Sequence, residues 1–262
     1  MEISAAKKKQ IARVQVGTDM MTQKTNTARL DPASVCKEWV DEIAQREGIK
    51  DSYGFTIFVN RLGKLTSMAG MGGNGNHVMD IISKLDQEAL KAGGKALDFA
   101  ELAGSMTFQK LYFRPDHDSM KDPAGTELTY HQIQAGMKNG IYLCKKDEDW
   151  NMLAAVMFYV EYGEVVDDND MLKSIEMWLP QIALAKGDAQ SRFGAVSKSH
   201  AKGEFSRKSF SKVQSQDILI KYALENWSMV NSFSSDGALM LVPNGKAVVK
   251  RNSSKKSKGK SK

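Results

Sequence analysis

The chain has 262 residues, 42% of them hydrophobic and 26% charged, which is enough apolar material to bury the core of one large domain or two smaller lobes. No stretch is long and apolar enough to predict a membrane span, and the first residues lack the apolar centre of a signal peptide. Cys36 and Cys144 lack the paired spacing of zinc ligands, so both are predicted to be reduced, packed thiols.

The net charge of +6 is concentrated in three segments. Residues 1–30 carry six Lys/Arg and two acids, residues 186–212 carry seven and two, and residues 246–262 carry eight and none. The rest of the chain is therefore net acidic. Clustered cations create a local positive potential that attracts a polyanion and displaces its counterions. This distribution indicates nucleic acid or an anionic surface as the partner.

The first half of the chain is predicted to be an arm followed by helices. Residues 1–30 are too polar to bury a core and are predicted to be a flexible basic arm. Apolar residues at helical spacing, with capping residues and glycines at the ends, predict three helices, at residues 31–48, 55–68 and 78–94. Residues 95–113 are ambiguous between a helix at 96–103 and an extended segment at 107–113, and residues 114–126 are predicted to be a loop.

The second half is predicted to be helical up to a terminal hairpin. Helices are predicted at residues 127–138, 148–162, 169–179 and 213–230. Asn244-Gly245, which suits a tight turn, predicts a hairpin of Ala238–Val242 and Lys246–Val249, and residues 250–262 are predicted to be disordered.

The predicted fold class is therefore mainly α. It consists of a two-lobed helical domain with a flexible basic N-terminal arm, a small β-hairpin near the C-terminus and a disordered basic tail. The predicted domains are the arm at 1–30, a core at 31–245 that divides into lobes 31–126 and 127–245, and a tail at 246–262.

Motifs that carry catalysis are weak in this sequence. Gly70, Gly72 and Gly75 form a G-x-G-x-x-G pattern before a helix, but the preceding residues do not form a buried strand, so a loop is favoured over a phosphate cradle. Asp116-His117-Asp118 is interpreted as a solvated turn, and the cluster at Asp167 to Asp170 as a helix cap. The sequence predicts a protein that is not an enzyme and binds no metal or cofactor.

The segment 186–212 interleaves cations with aromatic residues. Cations neutralise phosphates while aromatic rings stack on unpaired bases, a combination typical of single-strand binders. The alternative is a solvated basic linker that its phenylalanines tether to the core. The residues predicted to bind RNA phosphates here are Arg192, Lys198, Lys202, Arg207, Lys208 and Lys212, with Phe193, Phe205 and Phe210 for stacking. Further contacts are predicted at Arg61 and Lys64, and in the tail at Lys250, Arg251, Lys255, Lys256, Lys258 and Lys260.

One local stretch adds a resemblance to a known family. Glu127-Leu128-Thr129-Tyr130-His131-Gln132-Ile133 resembles a helix opening in bunyavirus nucleoproteins, and the chain as a whole looks like an RNA-virus nucleocapsid or coat protein. A coat protein of a positive-strand virus is equally compatible with the lysine-rich tail. The resemblance implies two helical lobes that grip single-stranded RNA in a groove.

The predicted function is thus a viral nucleocapsid or coat protein that encapsidates single-stranded RNA without sequence preference and self-assembles into ribonucleoprotein. Its expected partners are single-stranded RNA, further copies of the chain and a viral polymerase. Its expected location is the virion and the host cytoplasm, with the tail as a nuclear or nucleolar signal. The alternatives are a non-capsid nucleic-acid-binding accessory protein, with a movement, silencing-suppressor or nucleolar role, and a nucleotide-binding enzyme that uses Gly70–Gly75.

Overall fold

The computed structural model describes two groups of elements, an N-terminal mixed sheet with two helices and a larger helical part that follows it. The described residues are 10–16, 24–30, 34–61, 64–67, 77–94, 106–111, 113, 118–227, 230, 239–241 and 247–249. The predicted helix at 96–103, the glycines at 70–75 and the tail from residue 250 onward lie outside them.

The sheet has five strands. They are β1 (Gln10–Val16), β2 (Lys24–Leu30), β3 (Phe55–Arg61), β4 (Lys64–Ser67) and β5 (Met106–Lys110). Their order is β2-β1-β5-β3-β4, and β1 runs parallel to β5, while the other neighbouring pairs are antiparallel. Strands β1 and β3 thus both pair with β5, which lies far from each of them in the sequence.

Two helices pack on this sheet and form its core. Helix α1 (Cys36–Arg46) contributes the buried Trp39 and Ile43. Helix α2 (Val78–Lys91) contributes the buried apolar residues of one of its faces. From the sheet come Phe55, Ile57 and Val59 of β3, whose alternate positions point to one face of a strand. The ring of Phe55 stacks on that of Phe108 in β5, with centroids 5.1 Å apart.

The sequence predictions for this part are half right. The helices predicted at 31–48 and 78–94 are confirmed as α1 and α2. The helix predicted at 55–68 is wrong, because this stretch forms the antiparallel strands β3 and β4. The flexible arm predicted at 1–30 is also incorrect in part, since it contains the paired strands β1 and β2. Each segment pairs locally with its neighbour in the chain, and pairing of β1 and β3 with the distant β5 joins the two antiparallel pairs into one sheet.

Residues 123–226 are mainly helical. The helices are α3 (Pro123–Lys138), α4 (Asp147–Tyr162), α5 (Asp168–Trp178), α6 (Gln181–Leu184), α7 (Ala189–Lys202), α8 (Glu204–Arg207) and α9 (Lys212–Asn226). Four of them correspond to the helices predicted at 127–138, 148–162, 169–179 and 213–230. Helices α7 and α8 occupy the basic segment 186–212, in which no helix was predicted.

The helical part has its own apolar core, separate from that of the sheet. Helix α4 lies at its centre, because every residue from Leu153 to Val160 is buried, so α4 is covered on all sides. The predicted boundary between lobes, at residues 126 and 127, falls in the first turn of α3. Ala124 and Leu128, in the first two turns of α3, pack against the core of the sheet, so α3 touches both cores.

The predicted terminal hairpin is present. Strands β6 (Leu239–Leu241) and β7 (Ala247–Val249) pair antiparallel, with Met240 opposite Val248. Among the described residues, no helix has the length and apolar character needed to span a membrane.

Candidate functional site

The acidic cluster at the start of α5 is a helix cap, as predicted. The carboxylate of Asp167 accepts hydrogen bonds from the backbone N–H groups of Asn169 (2.9 Å) and Asp170 (3.1 Å). Of Asp116-His117-Asp118, only Asp118 is among the described residues. No group of three or more His, Cys, Asp or Glu that could hold a metal ion is found in the described part of the chain.

Arg192, a predicted RNA contact, is buried inside the helical core. Only 6% of it is exposed. Its guanidinium donates to the carbonyls of Gly187 and Ala183, each at 2.8 Å, and to the side-chain oxygen of Asn151 at 3.0 Å. Asp147 lies 3.6 Å away and balances the charge. This cation therefore ties α4, α6 and α7 together from within and is closed to a phosphate.

The three phenylalanines predicted to stack on bases face the core instead. Phe205 of α8 is buried, and its ring lies 5.1 Å from that of Tyr159 in α4. Phe193 and Phe210 are partly buried and pack against the same core. Aromatic rings in this position stabilise the fold by apolar burial.

The other cations of the segment point outward. Lys198, Lys202 and Arg207 are exposed. Lys208 pairs with Glu204 on α8, and Lys212 pairs with Glu127 of α3 at 2.7 Å. Arg61 and Lys64 are opposite each other in the β3–β4 register, and the predicted tail contacts from Lys250 onward lie outside the described residues. None of these positions tests whether the side chains contact RNA.

The alternation of cations and aromatics in 186–212 is thus the pattern of amphipathic helices. In α7 the buried residues Ala189, Arg192, Val196 and His200 recur at steps of three and four, which is the helical period. Because two of these four residues are Arg and His, the apolar pattern of the sequence does not reveal this face. Of the nine residues predicted here to contact RNA, Arg192 and Phe205 are buried, and Phe193 and Phe210 are partly buried.

At the junction between the two cores, side chains form hydrogen bonds with backbone groups. Asp122 caps α3, and its buried carboxylate accepts the N–H groups of Lys50 (3.1 Å) and Asp51 (3.3 Å) from the loop after α1, as well as that of Gly125 (3.2 Å). The polar groups at this contact satisfy one another, which a buried junction requires.

Gln132 makes a second junction contact. Its carboxamide accepts from the N–H of Lys110 and donates to the carbonyl of the same residue, both at 2.8 Å. The pairing of β1 with β5 ends at Phe108. Two residues further along β5, the side chain of Gln132 makes the backbone hydrogen bonds that a neighbouring strand would make. The Lys110 ammonium lies over the rings of Phe55 (4.5 Å) and Phe113 (5.4 Å), which belong to the two different cores.

One exposed apolar group stands out at the turn between α4 and α5. Tyr162, Val165 and Val166 are 41%, 75% and 43% exposed. Nothing in the sequence distinguishes these three residues, because apolar residues at a helix boundary are as readily buried as exposed. We call residues 161–168 the valine loop.

Comparison with solved structures defines the fold as one seen in FERM-containing proteins. The human myosin 7b C-terminal MyTH4-FERM domain, solved in complex with the harmonin-a PDZ3 domain, matches 92% of this chain and 51% of that chain, with a TM-score of 0.64 and 13% identity. The FERM and C-terminal domain complex of Drosophila merlin matches 83% of this chain and 67% of that chain, with a TM-score of 0.58 and 14% identity.

Comparison with curated sequences points to myosins in particular. Myosin-VIIa of Drosophila melanogaster is 26% identical over 88% of this chain, and unconventional myosin-VIIb of Mus musculus is 27% identical over 88%. The chain spans only about a tenth of the length of these relatives, 10% and 11%. Residues 13–115, less than half of the chain, match the family profile described as "RA like domain".

These matches overturn the viral interpretation. The similar sequences are animal myosins and the fold is similar to part of a MyTH4-FERM structure, so the resemblance to a nucleocapsid or coat protein is wrong. The predicted encapsidation of single-stranded RNA, the assembly into ribonucleoprotein, the viral polymerase partner and the virion location are wrong with it. The accessory-protein and nucleotide-enzyme alternatives do not fit these matches either. The seven-residue stretch at Glu127 was too short to identify a family.

Proposed function

We propose that this chain is a protein-docking module of the FERM type, which binds other proteins and carries no catalytic centre. The observation that carries the proposal is the fold, a five-stranded sheet with two helices joined to a helical part, because it is similar to that of proteins solved with protein domains bound. The identity of 26–27% to myosins over 88% of the chain supports a place in the tail of a myosin-like protein.

A direct binding measurement tests the proposal. The full chain, freed of nucleic acid by nuclease, is titrated calorimetrically with human harmonin-a PDZ3 domain and with the C-terminal domain of Drosophila merlin, the protein domains in the two similar structures. Saturable binding of at least one, with a dissociation constant of about 1 to 100 μM or tighter, is the expected result. An unstructured RNA of about 20 nucleotides serves as the comparison ligand.

A second arm widens the search for partners. The immobilised chain captures proteins from nuclease-treated animal-cell extract, and each captured protein is purified and titrated again. If neither domain binds and no purified protein binds directly, the docking function is wrong. Hydrolysis of a nucleotide by the purified chain would contradict the absence of a catalytic centre.

A further inference from the structure

The valine loop combines exposed apolar side chains with uncompensated negative charge. Residues 161–170 contain five acids, Glu161, Glu164, Asp167, Asp168 and Asp170, and no Lys or Arg. Tyr162, Val165 and Val166 are among the exposed large apolar residues, and Val165, at 75%, is the most exposed of those identified. Isolated exposed apolar residues are common, but three within five positions on one turn form a patch.

Two of these five acids, Glu161 and Asp168, remain available for an outside cation. Asp170 pairs with Lys173 at 3.8 Å, but across the described ranges of the chain neither Glu161 nor Asp168 forms an ion pair. Ser209 contacts Glu164 of the loop, and the ammonium of the adjacent Lys208 is paired with Glu204. The loop therefore presents an acidic rim around its apolar residues.

The loop is also held in place before any partner arrives. The N–H of Gly163 donates to the carbonyl of Tyr159 at 2.8 Å, and the buried His200 donates from Nε2 to the carbonyl of Gly163 at 2.9 Å. Ser209 donates its hydroxyl to the carboxylate of Glu164, and the Asp167 cap fixes the start of α5. Gly163 has a φ of +69°, a conformation that favours glycine.

These anchors fix the backbone on both sides of the two valines, and in that fixed conformation Val165 is 75% and Val166 43% exposed. A preformed apolar patch binds more tightly than a mobile one, because a partner does not have to order it. Tyrosine at the edge of such a patch is among the residues that contribute most to protein interfaces.

We propose that the valine loop is a docking surface for a segment of a partner protein that carries aliphatic side chains flanked by Lys or Arg. The aliphatic groups cover Val165, Val166 and Tyr162, and the cations face Glu161 and Asp168. The charge complementarity selects a basic partner over an acidic one. The assignment rests on the proposed docking function and names the surface that performs it.

Fluorescence anisotropy with labelled synthetic peptides tests this surface. The probe is a peptide of about twelve residues that alternates Lys with Leu and Val, long enough to span the loop in extended form. Two comparison peptides replace every Lys with Glu or every aliphatic residue with Ser. The full chain is expected to bind the basic aliphatic peptide at least about tenfold more tightly than either comparison peptide.

Surface variants then locate the binding. The double variant V165S/V166S is expected to weaken binding by at least about tenfold, because the apolar cover is lost. The double variant E161Q/D168N is expected to weaken it and to flatten its dependence on salt. The matched control is I182S, because Ile182 on α6 is 52% exposed and lies outside the loop. All variants change exposed side chains, and their melting temperatures are compared with that of the parent chain.

Three results would overturn the assignment. Failure of the parent chain to bind the basic aliphatic peptide would show that the valine loop is not a docking surface for such a segment. If harmonin-a PDZ3 or another protein still bound, the proposed docking function itself would stand. Equal binding by V165S/V166S and the parent would place the peptide elsewhere on the chain. A concentration-dependent dimer, seen in sedimentation and lost in V165S/V166S, would assign the loop to a second copy of this chain instead.

Discussion

Gly136 is a position where a single methyl group is too large. A Cβ atom built on it would lie 2.2 Å from Cε2 of Tyr142, whose ring stacks on Trp227 with centroids 5.3 Å apart. We expect Gly136→Ala to lower the free energy of unfolding by about 1–3 kcal/mol, since the ring pair must move to admit the methyl group. Urea denaturation followed by tryptophan fluorescence measures the change.

Gly194 provides the control for that substitution. It lies on the exposed side of α7, and an added Cβ would meet no atom within 4 Å. We expect Gly194→Ala to raise the free energy of unfolding by up to about 1 kcal/mol, because alanine favours a helix over glycine. A similar loss of stability in both variants would show that the contact with Tyr142 is not the cause.

The two thiols provide a test of burial at single residues. Burial raises the pKa of Cys36 to about 11 and that of Cys144 to about 12. The thiolate is the reactive form, and its fraction at a given pH falls as the pKa rises. Both thiols should therefore react slowly with an aromatic disulfide reagent at about pH 8. Unfolding in guanidinium should release both thiols at the rate of free cysteine. Rapid reaction of Cys36→Ser in its folded form would show that Cys144 is accessible.

At the scale of the element, Arg192 decides how α7 sits against α4 and α6. Lysine cannot reproduce its three donors in a planar fork, so Arg192→Lys leaves buried carbonyls at Gly187 and Ala183 without partners. We expect a loss of about 2 kcal/mol or more in the free energy of unfolding, measured by denaturant titration. Lys198→Gln, on the exposed side of the same helix, is the control and should change stability by less than about 0.5 kcal/mol.

The same scale explains which elements could be predicted from the sequence. Helices such as α1 and α2 carry their information locally, because their apolar residues recur at the helical period. The stretch Phe55 to Leu65 fits both a helical and an alternating pattern. Its strand form is stabilised by pairing with β5, about fifty residues away, which no local window contains.

The candidate site was still less accessible to sequence reasoning. Arg192 and Lys198 are both basic residues six positions apart, and only the packing of α7 puts one inside and the other outside. In the same way, Val160 is buried while Val165 is exposed. The type of a residue determines which interactions it can make. Whether the residue is exposed, and so can make them with a partner, is determined by the tertiary fold.

At the scale of the whole molecule, the contact of Gln132 with the backbone of Lys110 joins the helical part to the sheet. We expect Gln132→Leu to leave both polar groups of Lys110 unsatisfied and to loosen the junction, because leucine can neither donate nor accept. Hydrogen exchange by mass spectrometry should show faster exchange in β5 and in the first turns of α3.

Gln134 provides the comparison on the same helix. Its side chain contacts His131 and Met157 rather than β5, so Gln134→Leu should leave exchange in β5 unchanged. Unchanged exchange in both variants would mean that the Asp122 cap and the apolar contacts of α3 hold the junction by themselves.

The parallel pairing of β1 with β5 also sets an order of events during synthesis. Val14 pairs with Met106, so β1 leaves the ribosome long before its second neighbour exists, and at about 5–20 residues per second the delay is roughly 5–20 s. During that interval the β1–β2 hairpin has an unpaired edge that another chain can occupy. Nascent chains stalled before β5 should therefore be cut by protease within residues 10–30, and chains stalled well beyond it should resist.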